Sequence, residues 1–399
     1  PEEALKCFVR MQNEGISPNA FTFVSILKSC SNMGFLKMGE EIHTHVKKQG
    51  LLGKNTILGT SLIDMYSKCG ELVEAQYVFN NLPKRDRISW NTLMAGYVQH
   101  GCFKETLIFF EKMQCEGFSP DLVTFTCILK ACGSAGAIDK GKQIHDEIVK
   151  SGLLERNTIL GNALIDMYAR CGLVAKARQT LEELPIRDIV SWNALIAVYA
   201  QQGHGHEALL CFEQMQSEGL SPNQVTFTCI LVACTRIGAI DKGEQIHVEI
   251  ANRGFLKKDI VLGCTLVDMY AKCGVPSKAH DVFYHIRVRD VVSWSTLITA
   301  YAQLADVTVV IDLFNKMLVS GVRPDSITFS ALLKTCSHLG LLEEAQMCYE
   351  IMYTCYDIVP TLEHQTCMVD LFGRAGHFEK AVKVMKTMLN CGSLPMWLS

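Results

Sequence analysis

The sequence has no C-x-x-C pair, no apolar run long enough to span a bilayer, and no excess of either charge. Its 38 Lys and Arg against 41 Asp and Glu leave a net charge of −3. That balance argues against tight nucleic-acid binding by charge alone and leaves room for binding through local contacts. Proline (10) and glycine (29) are ordinary in number, which excludes collagen and low-complexity linkers. There is no P-loop, no G-x-S-x-G elbow and no complete dinucleotide loop; Gly203-His204-Gly205 reads as a helix-hairpin turn. The 18 cysteines are many, but spread over 399 residues they do not form a small disulfide scaffold. They read as free, half-buried thiols in a reducing compartment.

What is present is repetition. With 49% apolar residues, the chain is far too hydrophobic for disorder, and its length implies several domains or one long array. GTSLIDMYSKCG (59–70) returns as GNALIDMYARCG (161–172) and GCTLVDMYAKCG (263–274). SWNTLMAGYVQHG (89–101) returns at 191–203 and 293–305, and FTFVSILKSCSNMG (21–34) at 123–136, 225–238 and 327–340. The spacing is 102 residues throughout, marked by Trp90, Trp192 and Trp294 and by Asp64, Asp166, Asp268 and Asp370.

Each 102-residue unit divides into pieces of 36, 31 and 35 residues, and each piece has two helical stretches around a glycine-containing break. In 158–188, Leu164, Ile165, Met167 and Tyr168 have helical spacing and Cys171-Gly172 stops the helix. Val174, Ala177 and Leu181 open a second helix, which Leu184-Pro185 ends. The β-branched segments Val123-Thr124-Phe125 and Ile189-Val190-Ser191 are too short for strands and lead directly into helical spacing. No single hairpin can bury its own apolar face, so the expectation is an all-α fold, an α-solenoid with one continuous core and a right-handed superhelix. Eleven complete hairpins are expected over 20–392, after a partial one at 1–19 and before an irregular tail at 393–399. The opening residues Pro1-Glu2-Glu3-Ala4-Leu5 resemble the middle of a helix, so the sequence is expected to start inside a longer chain.

These motifs in fixed phase, with SWN, DMYxKCG, GxQIH and GxxPD cores, resemble the plant pentatricopeptide repeat family, and within it the subclass of alternating P, L and S repeats. Under that resemblance the L repeats are 20–55, 122–157, 224–259 and 326–361. The S repeats are 56–86, 158–188, 260–290 and 362–392, and the P repeats 87–121, 189–223 and 291–325. The tetratricopeptide pattern, with a 34-residue period and a Trp-Leu-Gly signature, is absent. The resemblance implies a binder of single-stranded organellar RNA, mitochondrial or chloroplastic, at about one base per repeat. For this subclass it implies a site-recognition factor for C-to-U RNA editing.

The resemblance further assigns base reading to the second, fifth and last residues of each repeat. A flat apolar side chain must support the base, and short polar side chains must reach its edge. The supporting residues would be Ile57, Ile88, Val123, Ile159, Val190, Val225, Val261 and Val292, with Ile327 in the same register; helix packing is the alternative reading. The reading pairs would be Thr60/Asp86 and Ser295/Asp325 for G, Asn91/Asp121 and Asn162/Asp188 for U, and Asn193/Asn223 for C. Thr126/Asn157 and Thr228/Asp259 hint at A and G, while Val24/Asn55, Ser330/Thr361 and Cys264 give no readable pair. Read from the N-terminus to the 5′ end, repeats 56–325 suggest G-U-A-U-C-G-N-G. An ionised Asp accepts only and suits the N–H of a keto base, whereas Asn donates or accepts. The alternative role for Asp86, Asp188 and Asp290 is helix N-capping. Lys68, Arg170, Lys272 and Arg374 are candidate phosphate contacts, or complements to a helix C-terminal dipole.

Two H-x-E strings, His145-Asp146-Glu147 and His247-Val248-Glu249, could suggest the zinc site of a deaminase. No C-x-x-C follows them, so no metal, no cofactor and no catalytic residue is expected. Cys127/Cys132 and Cys229/Cys234 read as helix core. The extension and deaminase regions that commonly follow the last S repeat of this subclass are missing from the sequence. Catalysis is therefore expected from a deaminase-bearing protein acting in trans or from a missing C-terminal part. Transcript stabilisation or splicing, and a protein-binding scaffold, are the alternatives; no membrane role is expected.

Overall fold

The computed structural model describes residues 2–52, 55–154, 157–257 and 259–390; the expected tail at 393–399 lies outside them. The described residues are helical, without strands, and build an α-solenoid of helical hairpins. The chain divides into two compact units, residues 1–198 and 199–399.

In the first unit α1 (Glu2–Asn13) precedes five hairpins. They are α2 (Ala20–Met33) with α3 (Leu36–Lys48), α4 (Thr56–Lys68) with α5 (Leu72–Asn80), α6 (Arg87–Gln99) with α7 (Phe103–Cys115), α8 (Leu122–Ala135) with α9 (Ile138–Lys150), and α10 (Thr158–Arg170) with α11 (Val174–Glu183). Helix α12 (Ile189–Gln202) begins in the first unit and ends in the second. The second unit continues with α13 (Gly205–Ser217), α14 (Gln224–Ile237), α15 (Ile240–Asn252), α16 (Ile260–Lys272) and α17 (Pro276–His285). It ends with α18 (Val291–Gln303), α19 (Val307–Val319), α20 (Ser326–Leu339), α21 (Leu342–Thr354), α22 (Leu362–Arg374) and α23 (Phe378–Asn390). Residues 123–125 and 189–191 are helical, as their spacing predicts.

The first helix of each hairpin packs on the first helix of the next: α2, α4, α6, α8 and α10 in one unit, α14, α16, α18, α20 and α22 in the other. The second helices form an outer layer, each lying on its own first helix. Each first helix between two others is therefore covered on several sides.

Local chemistry sets the hairpin geometry. Gly70 (φ 90°) follows α4 in the left-handed region, which favours glycine. Its N–H donates to Ser67 O at 3.1 Å and that of Glu71 to Tyr66 O at 2.9 Å, closing a Schellman turn that reverses the chain into α5. A second glycine permits close helix approach. A Cβ on Gly39, Gly141 or Gly243 would lie 2.4, 2.7 or 2.8 Å from an atom of Met65, Met167 or Met269. In the fourth copy Leu371 replaces the methionine and Ala345, buried, replaces the glycine. The shorter leucine leaves the room that the extra methyl group fills.

The second helices α3, α9 and α15 carry a further repeated contact. His43, His145 and His247 Nδ1 share a hydrogen bond with the hydroxyls of Tyr66, Tyr168 and Tyr270 at 2.9, 2.8 and 2.8 Å. Burial pushes all three histidines below their ordinary value and the tyrosines up to about 12. At His145 the second ring nitrogen is buried without a partner, so a protonated ring would carry an N–H with no acceptor. The sign of the pH effect follows. The unfolded histidines take up protons as the pH falls through about 6.5, while the folded ones resist, so the unfolded state binds more protons. The contribution is complete above that pH and is lost progressively below it. Melting temperature is expected to hold between pH 8 and 7 and to fall from pH 6.5 to 5. The triple variant His43→Asn, His145→Asn, His247→Asn, which keeps a polar atom near Tyr, is expected to flatten that fall; an equally steep decline in the variant would assign it to other groups.

Candidate nucleic-acid interface

The second residues of the first helices are exposed. Ile57, Ile88, Val123, Ile159 and Val190 in the first unit, and Val225, Val261, Val292 and Ile327 in the second, range from 50% exposure (Val123) to 66% (Ile57). Helix packing, the alternative reading of these residues, does not hold: six residues after Ile57, Ile63 is fully buried. A row of β-branched side chains in water costs solvation free energy that burial against a ligand would return.

Between these apolar residues lie small cavities in the first unit. One of about 320 Å³ is lined by Ile57, Ile88, Thr60, Asp86 and Lys28. Another of about 340 Å³ is lined by Ile88, Val123, Asn91, Asp121, Asp64 and Lys68. Each has two exposed aliphatic walls and a polar floor made by a fifth and a last residue.

Helix capping positions the floor. Asp86, Asp121, Asn223, Asp290 and Asp325 are N-caps of α6, α8, α14, α18 and α20, each accepting from the backbone N–H three residues on. Asp188 does the same for Ser191 at 2.8 Å. In each aspartate of this set one carboxylate oxygen is thus fixed by the cap. Asn91 Nδ2 donates to Asp121 Oδ1 at 2.9 Å, while Thr124 donates to Asn91 Oδ1 at 2.6 Å. Asn162 Nδ2 donates to Asp188 Oδ1 at 3.4 Å, and Ser295 Oγ to Asp325 Oδ1 at 3.3 Å. Burial alone would raise Asp121 and Asp188, but hydrogen bonds from Thr124 and Asn91, and from Ser191 and Asn162, outweigh it. Both are held below the usual carboxylate range and stay ionised acceptors.

Three expected pairs, Thr60/Asp86, Thr126/Asn157 and Thr228/Asp259, are not joined by a hydrogen bond. Thr60 donates to Thr56 O at 3.0 Å rather than to Asp86, although both line one cavity. Thr126 and Thr228 donate to the carbonyls of Leu122 and Gln224 in their own helices at 2.7 and 3.0 Å. Asn157 starts α10 without a side-chain cap, and Asp259 accepts from Leu262 N at 3.1 Å. Asn193 is buried on α12; Cys264 is also buried.

The repeating cations are held in place by acids. Lys68 pairs with Asp64 at 2.9 Å, Arg170 with Asp166 at 2.8 Å, Lys272 with Asp268 at 2.9 Å and Arg374 with Asp370 at 2.9 Å, all at i,i+4. Neither reading offered by the sequence included this pair, although its spacing was visible there. Such half-exposed pairs are weak.

Two residues escaped the sequence reading. Phe21, second in 20–55, is 84% exposed and offers an aromatic platform in the same register as Ile57. Its neighbours form no readable pair, which hid it. At the other end Glu363 occupies this register, with its carboxylate paired to Lys334 and accepting from Ser330 Oγ at 3.1 Å. The apolar row of the second unit therefore ends at Ile327.

No three His, Cys, Asp or Glu side chains among the described residues are arranged to hold a metal. The ring nitrogens of His145 and His247 face tyrosines, and Glu249 pairs with Arg253. All described cysteines are free thiols. Cys132 and Cys234 are core residues, whereas Cys127 and Cys229 are only half-buried. No helix among the described residues is long and apolar enough to cross a membrane.

Sequence comparison yields three sets of matches. The family described as "PPR repeat family" matches residues 85–134, 187–236 and 289–338. "PPR repeat" matches 60–86, 123–153, 162–189, 264–291, 327–355 and 366–393, and "Pentatricopeptide repeat domain" matches 2–33. A mitochondrial pentatricopeptide repeat-containing protein of Arabidopsis thaliana is 34% identical over 97% of this chain and 56% of its own length. A chloroplastic one is 35% identical over 97% of this chain and 44% of its own length. A third from the same plant is 34% identical over 100% of this chain and 71% of its own. The chain thus spans about half the length of the first two. The crystal structure of the maize pentatricopeptide repeat protein PPR10 matches with a TM-score of 0.68 at 22% identity, over 100% of this chain and 62% of that one. PPR10 in complex with an 18-nt psaJ RNA element matches with a TM-score of 0.69 at 18% identity, over 88% of this chain and 52% of that one.

Proposed function

Because the chain belongs to the pentatricopeptide repeat family, we propose that it binds one single-stranded organellar transcript in fixed register, about one base per hairpin. The observation that carries this reading is the row of exposed aliphatic residues alternating with capped polar pairs. Each base slides between two aliphatic walls, as between Ile57 and Ile88, and its edge meets a fifth and a last residue. Phe21 stacks on the base ahead of this series. Lys68, Arg170, Lys272 and Arg374 exchange their aspartate partners for phosphates, adding affinity without sequence preference.

The P, L and S assignment and the pairs above give the target G-U-A-U-C-G-N-G. The named relatives include mitochondrial and chloroplastic proteins, which supports an organellar transcript. Within it the protein marks one cytidine for conversion to uridine, with a deaminase supplied by another polypeptide or by a further part of the protein.

The test is RNA binding by the purified chain, using this octamer and a permuted copy of the same composition across a salt series. The octamer is expected to bind at least ~10-fold more tightly. Both affinities should fall with salt, and Lys68→Ala is expected to lower the salt slope by about one for either RNA. Equal binding of the two RNAs would leave an unspecific RNA-binding solenoid. Loss of the gene is expected to leave one cytidine unconverted in the transcript that carries the target. An edited but cleaved or unspliced transcript would instead assign stabilisation or splicing.

A further inference from the structure

Arg87 is the first residue of α6, and its guanidinium Nε lies 3.0 Å from Asp121 Oδ2. Asp121 ends this repeat and caps α8 of the next hairpin, and its Oδ1 is occupied by that cap and by Asn91. Both carboxylate oxygens of Asp121 are therefore engaged. At Asp188 and Asp325, by contrast, the hydrogen bonds from Ser191 and Asn162 and from Thr328 and Ser295 go to Oδ1. Among the described residues no ion pair reaches either carboxylate.

The placement of Arg87 is unusual on electrostatic grounds. A cation at a helix N-terminus is opposed by the helix dipole. The ten other first helices after α1 begin with an uncharged residue, Ile189 and Val291 holding the equivalent place in the two related hairpins. The guanidinium is half-exposed and pairs with Asp121, which lines the cavity between Ile88 and Val123.

We propose that Arg87 is a specificity-determining residue that makes the hairpin 87–121 accept cytosine as well as uracil. This inference rests on the base reading proposed above. A free carboxylate oxygen accepts N3–H of uracil and repels the N3 lone pair of cytosine. With Arg87 over Asp121 Oδ2, the same point on the floor presents guanidinium N–H groups. These donate to cytosine N3 and O2 as readily as to the uracil carbonyls, so the repulsion that rejects cytosine is offset. The pair Asn162/Asp188 is the internal control: it has the same two residue types, and Thr158 stands where Arg87 does.

The experiment measures binding of the octamer G-U-A-U-C-G-N-G and two copies, with cytosine replacing uracil at the second or at the fourth nucleotide. For the natural chain, the change at the fourth nucleotide is expected to raise Kd about 10-fold, and the change at the second by less than about 3-fold. Arg87→Ile, which copies the residue at 189, is expected to bring the second penalty up to the fourth. Arg87→Gln, which keeps the polar stem without the charge, should do the same, and melting temperatures report that both variants fold. Because the readout is a ratio, a general loss of phosphate attraction cancels. Equal penalties in the natural chain, or a second penalty unmoved in both folded variants, overturn the proposal. Absence of any penalty at the fourth nucleotide overturns the base reading itself, and this inference with it.

Discussion

Replacing Trp90 by alanine is expected to cost about 3–5 kcal/mol of stability. The indole is 2% exposed on α6. It meets Phe79 of the preceding hairpin edge-on, with ring centroids 4.6 Å apart, and Phe109 of its own hairpin at 6.5 Å. Its loss therefore removes aromatic contact area and also uncouples two neighbours. In a solenoid the coupling between neighbours is what holds each hairpin folded. Amide exchange should rise across α5, α6 and α7 and stay unchanged in α20 to α23. Phenylalanine at the same place is expected to cost well under half as much. The indole Nε1 is buried without a hydrogen-bond partner, so the exchange removes an unsatisfied donor along with part of the ring. Denaturant melts of the three proteins decide this. A phenylalanine variant as unstable as the alanine one would mean that the indole N–H does have a partner.

The helices and their hairpins were legible because the 102-residue period repeats every signal three or four times. A glycine after DMYxKC, seen once, is a weak stop; Gly70, Gly172 and Gly274 together are a strong one. Exposure was harder to read. Ile57 and Ile63 are alike in composition and both fit a helical stripe, yet one is two-thirds exposed and the other fully buried. Only the stacking of α4 against both α2 and α6 decides which faces are covered, and stacking is a property of three hairpins rather than of one helix. Contacts between helices were likewise beyond the sequence. His43 and Tyr66 are 23 residues apart, and Arg87 and Asp121 34, so no rule of local spacing joins them. The pair Asp64–Lys68 is the opposite case, a visible i,i+4 spacing passed over because both residues belong to a repeated motif that invited a functional reading.

One feature of the floor makes a functional exchange separable from a structural one. The last residue of a repeat is also the N-cap of the next first helix, and Asn caps about as well as Asp. Asn223 demonstrates this in the second unit, accepting from Thr226 N at 3.0 Å as Asp325 accepts from Thr328 N at 2.8 Å. Asp325→Asn is therefore expected to leave stability within about 0.5 kcal/mol of the natural chain. Its effect should fall on the base instead. Asp325 carries an acceptor-only carboxylate beside Ser295, which suits the N1–H and N2–H donors of guanine. An amide at that point donates to N1 of adenine and accepts from N6–H. The preference at the eighth nucleotide of the octamer is expected to move from G towards A by about 1–3 kcal/mol, the worth of one well-formed base contact. The preference at the fourth nucleotide, which the proposed reading assigns to Asn162 and Asp188, should not move. A folded variant that still prefers G at the eighth nucleotide would restrict Asp325 to capping α20. A shift confined to that nucleotide would show that cap and reader are the same side chain, so that base preference can be changed hairpin by hairpin without loss of the fold.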